Sequence, residues 1–172
     1  MVQGQGLPQL DFGTALQTAI SRIKETEGRS RRSEFWWTML AMMIPFVILW
    51  IINRSMMSVV PALIVSLLSA AVWFCSLPLQ IRRLHDTGRS GTMALVLGGV
   101  YCLQLLLSII VVIMYSNGNY MGVLNMGTFV GLVALVYFVL FIICVVFWAQ
   151  DSQPGTNQYG PSPKYPDLPQ QM

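Results

Sequence analysis

What this sequence has least of is charge. Ten Lys/Arg and seven Asp/Glu make up 10% of its 172 residues, while hydrophobic types reach 55%; an ordinary soluble domain carries roughly 25% charged residues. So few charges cannot coat a soluble globule of this size, and a chain this apolar is not disordered. Cysteine occurs three times, an odd number that excludes a complete internal disulfide framework. Histidine occurs once.

The charges are also absent in blocks. None falls in 35–53, 55–81 or 90–150, gaps of 19, 27 and 61 residues. A bilayer core of about 30 Å takes roughly 20 apolar residues as helix. The first two gaps therefore hold one span each and the third holds two, separated by Ser116-Asn117-Gly118-Asn119 and again by Asn125, Gly127 and Thr128. The reading is an all-α membrane protein. It has a four-helix transmembrane bundle over 35–149, with spans near 35–53, 56–80, 92–115 and 128–149. The spans must be helical because lipid offers backbone amides no partner. Pro45 and Pro61, inside the first two, predict kinks. The first apolar stretch begins only at Phe35, which argues against a signal peptide.

Basic residues set the orientation. Arg22, Lys24, Arg29, Arg31 and Arg32 precede span one, Arg82, Arg83 and Arg89 join spans two and three, and Lys164 follows span four; only Arg54 lies across the membrane. Positive residues stay cytoplasmic, so both termini are expected in the cytoplasm. Trp36, Trp37, Trp73 and Trp148 fall near the cytoplasmic ends of the spans, and Trp50 and Tyr115 near the outer ends, the levels that amphipathic rings prefer.

The segments outside the spans have their own patterns. In the N-terminal segment 1–34, Phe12, Leu16, Ile20 and Ile23 form one apolar stripe of a helix over about 12–25, closed by Gly28. That amphipathic helix either lies in the headgroup plane or packs on the protein's own cytoplasmic loops. The tail 150–172 carries Pro154, Gly155, Pro161, Pro163, Pro166 and Pro169, which exclude regular structure. It is an ordered irregular lid or a loose end, its last residues the latter.

The topology gathers three polar clusters on one side. They are the strings GRSRRSEFWW (28–37), RRLHDTGRSG (82–91) and PGTNQYGPSPK (154–164). In these strings and their order the sequence resembles the bacterial inner-membrane family known as domain of unknown function 805, over roughly 11–165. Where that family carries an aromatic residue before the first Gly-Arg this chain has Glu27, and where it carries a tryptophan after the second Ser-Gly this chain has Thr92 and Met93. The resemblance implies an integral protein of the bacterial cytoplasmic membrane and implies no reaction.

Two readings of the arginines stay open. Arg29, Arg31, Arg32, Arg82, Arg83 and Arg89 are candidates for binding an anionic lipid headgroup, a phosphate or an acidic partner, since guanidinium makes bidentate contacts with such groups. They serve equally as topology determinants with internal partners, for instance Glu34 or Asp86. His85 beside Asp86 invites acid–base or metal chemistry. A metal site needs about three ligands, and the other candidates on that side are only Glu25, Glu27, Glu34, Asp151 and Asp167. The expectation is a structural cluster of Glu34, His85, Asp86, Asn157, Tyr159 and Gly160, the tail residues acting as a clasp, with no metal and no cofactor.

Inside the spans, Cys75, Cys102 and Cys144 read as small apolar residues. Gly127 and Gly131 form a small-xxx-small pair for internal packing or a dimer, and Gln104 with Ser108 a polar pair for a neighbouring helix. No span contains an ionisable pathway residue, and no nucleophile–base pair is evident. The expected function is thus non-catalytic: a lipid- or partner-binding module with a basic cytoplasmic face. The alternative is a small transporter or channel subunit acting as an oligomer. Expected partners are membrane lipids, anionic ones among them, and a membrane-protein partner or a second copy. No nucleic-acid partner is expected, because the basic residues hug the bilayer and no cytoplasmic segment is large enough to read a duplex.

Overall fold

Helices start where a side chain can satisfy the free amides of a first turn. Asp11 accepts from the Thr14 amide at 3.0 Å and so opens α1 (Phe12–Ser21). Asn119 accepts from the Gly122 amide at 2.9 Å and opens α5 (Tyr120–Ala149). Between them run α2 (Arg32–Ser55), α3 (Val59–Asp86) and α4 (Thr92–Ser116). The structure is a computed structural model that describes residues 6–55 and 59–165, without the side chains of 50 and 53–55. The side chains of Trp50 and Arg54, the start of span two at 56–58 and the tail residues Pro166, Asp167 and Pro169 lie outside the described structure.

The described chain is all-helical, and three of its helices, α3, α4 and α5, are long and apolar enough to cross a membrane. At about 1.5 Å per residue, their 28, 25 and 30 residues reach about 42, 38 and 45 Å. Only 6% of the most apolar stretch of α5 is buried within the protein. A helix apolar on every side that leaves so much of its length exposed belongs in lipid rather than water. These are membrane helices.

Several boundaries differ from the sequence expectation. Helix α5 begins at Tyr120, not near 128, so Asn125, Gly127 and Thr128 are helical and the connection shrinks to 117–119. Isolated Gly, Asn and Thr cost a helix at most about 1 kcal/mol each, less than the cap and the apolar run repay. Helix α3 continues beyond 80 to Asp86, so Arg82, Arg83, His85 and Asp86 sit on its last turns rather than in a loop. The helix survives there because each of those side chains finds a partner. Pro61 falls in the first described turn of α3; the prolines inside helices are the expected Pro45 of α2 and Pro78 of α3, which the sequence reading did not single out.

Helix α1 is shorter than expected. It ends at Ser21 with Arg22 as its cap, and Gly28 does not close it but turns the chain toward α2 with φ at 79°. Its buried face is Ala15 and Ala19, while Phe12 and Ile20 remain exposed. The small face lets α1 lie against α2, while Phe12, though exposed, sets its ring edge-on to Trp37 with centroids 5.7 Å apart.

The buried core gathers at the end of the bundle where α2 starts and α3 and α5 end: Phe35, Leu84, Leu97, Cys144 and Trp148 interlock there. Trp73 and Trp148 belong to this core and not to an interfacial girdle. Trp73 stacks on Tyr101 with centroids 5.1 Å apart and fills the space over Gly98, where a Cβ would come within 2.5 Å of its ring. A Cβ at Gly127 or Gly131 would meet nothing within 4 Å, so that pair serves no packing inside the protomer. Ser108 bonds back to the Gln104 carbonyl at 2.8 Å rather than to a neighbouring helix.

Candidate functional site

The end of the bundle beyond the apolar lengths is built on Asp86. This carboxylate is fully buried at the last turn of α3. It accepts from Arg29 Nε at 3.0 Å, from Ser152 Oγ at 2.5 Å and from Arg83 Nη1. A second buried pair lies alongside, Arg82 Nη2 to Glu34 Oε1 at 3.3 Å. Buried charges persist only when paired and hydrogen-bonded, and here the pairing spans α2, α3 and the tail.

The three buried guanidiniums also collect backbone carbonyls. Arg29 donates to the carbonyls of Gln153 (2.5 Å), Gly155 (2.8 Å), Gly160 (3.2 Å) and Asp86 itself (3.2 Å). Arg82 donates to Arg22 (2.6 Å) and Glu25 (2.5 Å), closing the turn after α1. Arg83 donates to Trp148 (2.9 Å), Ser30 (3.3 Å) and Gln150. The Trp148 and Gln150 bonds satisfy carbonyls that the end of α5 leaves open, and place a cation at the negative end of that helix. Five donors in a planar fork make arginine, not lysine, the residue for this work.

His85 completes the fastening of the tail. Its ring lies flat on Tyr159, centroids 3.7 Å apart and planes 2° from parallel. Nδ1 stands 3.1 Å from the Gly28 carbonyl, so that nitrogen carries the proton. Asn157 Nδ2 donates to the His85 carbonyl at 2.9 Å, and Asn157 bridges Gly160 through two backbone bonds of 3.1 and 3.0 Å. The positive φ of Gly160, 118°, is what that tight bridge requires. The tail over 150–165 is therefore an ordered, irregular lid.

Burial acts on the titrating groups here. It pushes Asp86 above the usual carboxylate range, against the Ser152 hydroxyl and the Arg83 and Arg29 guanidiniums. It lowers Arg83 to about 10, against Asp86. It also holds His85 below 6.5, opposed by the bond to Gly28. Among the described residues no three His, Cys, Asp or Glu side chains approach closely enough to hold a metal ion.

The six candidate arginines thus separate. Arg29, Arg82 and Arg83 are buried and engaged as above, and Arg31 is buried with Nη2 on the carbonyls of Leu7 (3.0 Å) and Pro8 (2.5 Å). Arg89 is half-buried, 2.6 Å from Gln150 Oε1 and 4.2 Å over the Phe147 ring. Arg32 is exposed and makes no hydrogen bond or ion pair among the described residues. Glu34, His85, Asp86, Asn157, Tyr159 and Gly160 all lie in the fastened end.

Two features escaped sequence reasoning. One is the share of Ser30, Gln153 and Gly155, which act through backbone carbonyls, and of Ser152, which acts through a buried hydroxyl. The other is a groove of about 490 Å³ between the first turns of α2, the chain before α1 and the tail. Trp36, Leu40 and Met43 form its apolar wall, with Arg31, Arg32 and Lys164 at its polar mouth. Lys164 reaches Asp151, also at that mouth, at 2.5 Å.

The fold and this end define a helical membrane protein fastened by buried arginines. The family model for a protein of unknown function, DUF805, matches residues 23–161. The chain belongs to that family, and the match takes in the first two polar clusters and the third as far as Pro161. Comparison with curated proteins and with solved structures finds no match.

Proposed function

We propose that this is an integral protein of the bacterial cytoplasmic membrane that crosses the bilayer four times, with both termini in the cytoplasm. In this reading it works without catalysis, binding membrane lipid or a partner protein through its basic cytoplasmic face. The observation that carries it is convergence. The N-terminal segment, the end of α3 with its turn, and the tail hold nine of the ten Lys and Arg, and contacts such as Arg29–Asp86 and His85–Tyr159 join them into one surface. Translocating such a surface is costly, which favours the cytoplasm.

The fourth span is α2, uncharged over 35–53 and about 36 Å long by its 24 residues. The buried ions are engaged with one another and with carbonyls, and so are suited to holding a shape rather than moving protons. Reporter fusions after Ser116 and after Lys164 test the orientation. A periplasmic signal from the first and a cytoplasmic one from the second are expected; the reverse pair overturns it. The binding role is tested by native mass spectrometry of the purified chain, where a retained lipid or polypeptide is expected and a bare protomer under gentle conditions refutes it.

A further inference from the structure

We infer that the groove beside α2 seats one anionic phospholipid of the surrounding leaflet, its phosphate at Arg32 and Lys164 and one acyl chain along Trp36, Leu40 and Met43. This rests on the membrane placement proposed above and names the ligand of its basic face.

Charge comes first. The mouth holds the cations of Arg31, Arg32 and Lys164 against the single carboxylate of Asp151, a net excess of two positive charges. Arg31 touches only backbone carbonyls, so its charge is not neutralised. Arg32 is exposed, and among the described residues its guanidinium makes no hydrogen bond or ion pair. A zwitterionic headgroup would answer this excess with no net charge, whereas an anionic headgroup complements it.

Shape is the second observation. Trp36, Leu40, Met43 and Val47 recur at steps of three and four on α2, one exposed stripe that leaves the groove and runs on into the apolar length of the helix. A free phosphate or a soluble anion has no use for such a wall. The volume, about 490 Å³, lies within the usual range for small-molecule sites of about 300–1,000 Å³. Trp36 and Trp37 stand at the level where the polar mouth meets the apolar wall, and Trp37 is held there by donating to the Leu10 carbonyl at 3.1 Å. Indoles favour that boundary. Ser33, which accepts from the Leu10 amide at 3.1 Å, keeps its hydroxyl proton for a headgroup oxygen.

The test uses the full chain in mixed micelles holding equal amounts of phosphatidylglycerol and phosphatidylcholine with identical acyl chains, read by native mass spectrometry. One phosphatidylglycerol is expected to stay on each protomer in preference to phosphatidylcholine. Arg32→Gln should cut that preference roughly fivefold, the worth of one basic residue at a membrane surface. Met43→Trp should lower retention of the anionic lipid without touching a charge. Both side chains are exposed and make no hydrogen bond among the described residues, and the melting midpoint of each variant reports that it folds. Arg89→Gln, a basic residue outside the groove, should leave the preference intact. Wild-type retention in both groove variants overturns the inference, and so does a loss confined to Arg89→Gln, which would put the lipid elsewhere on the basic face and leave the broader proposal standing. No preference in the wild type, together with a bare protomer, removes both.

Discussion

Arg29→Gln removes the cation that joins α3 to the tail. In the folded protein Arg29 donates to Asp86 and to four backbone carbonyls, three of them in the tail. Breaking a buried pair by deleting one partner costs about 3–5 kcal/mol, because the remaining charge loses its compensation. Here Arg83 and Ser152 still face Asp86, so the lower half of that range, about 3 kcal/mol, is expected. At about 2–4 °C per kcal/mol for a chain of this size, the melting midpoint should fall by about 6–12 °C. Amides over 153–160 should exchange faster than those of the α4–α5 pair, since the loss is local to the tail. Arg29→Lys keeps the charge but not the fork, and should fall between. The variant also acquires a pH signature. Burial already raises Asp86, and loss of an arginine raises it further. The folded state then takes up the proton first, so the deficit should shrink as pH falls toward 3.8. A midpoint within 2 °C of wild type, with unchanged exchange over 153–160, would refute the view that this arginine holds the lid.

Tyr159→Ala should remove the stack on His85, worth about 0.5–1.5 kcal/mol beyond area burial; limited proteolysis should then cut the tail sooner, and equal cutting rates would contradict it. His85 is held below 6.5 by burial, so the unfolded chain binds its proton first and stability should decline as pH drops through 6.5. Subtracting the pH–melting curve of His85→Gln from that of the wild type isolates this loss, and a flat difference would count against it. Gly98→Val should cost about 1–3 kcal/mol by overpacking against Trp73, visible as a lower melting midpoint, whereas Gly131→Val, which meets nothing within 4 Å, should change it little.

Charge spacing made the membrane helices legible, because a gap of uncharged residues has only one physical use. It did not make their ends legible. Ser116 to Thr128 contains at least seven residues that favour turns, yet only 117–119 turn, since Asn119 caps α5 and a long apolar run carries Gly127 and Thr128 along. The last turns of α3 read as a loop because Arg, His and Asp suit water as well as a sealed interior. Residue type does not distinguish the two; the partner does. For Arg29, Arg82 and Arg83 most partners are backbone carbonyls, present at every position and therefore without a signature. The same blindness covers α1, whose buried alanines are quieter in the sequence than its exposed phenylalanine and isoleucines.

The joining of Asp86 to Arg29 and Ser152 has a consequence for how the chain is made. At about 5–20 residues per second, the ribosome needs about 4–15 s to go from Asp86 to Tyr159. Throughout that interval the nascent bundle holds an arginine–carboxylate cluster with its cover missing. Two more helices must enter the bilayer before the seal arrives. Fastening by residues 152–160 makes assembly conditional on translation beyond α5, and a copy interrupted at the end of that helix would expose the unsealed cluster to quality-control proteases.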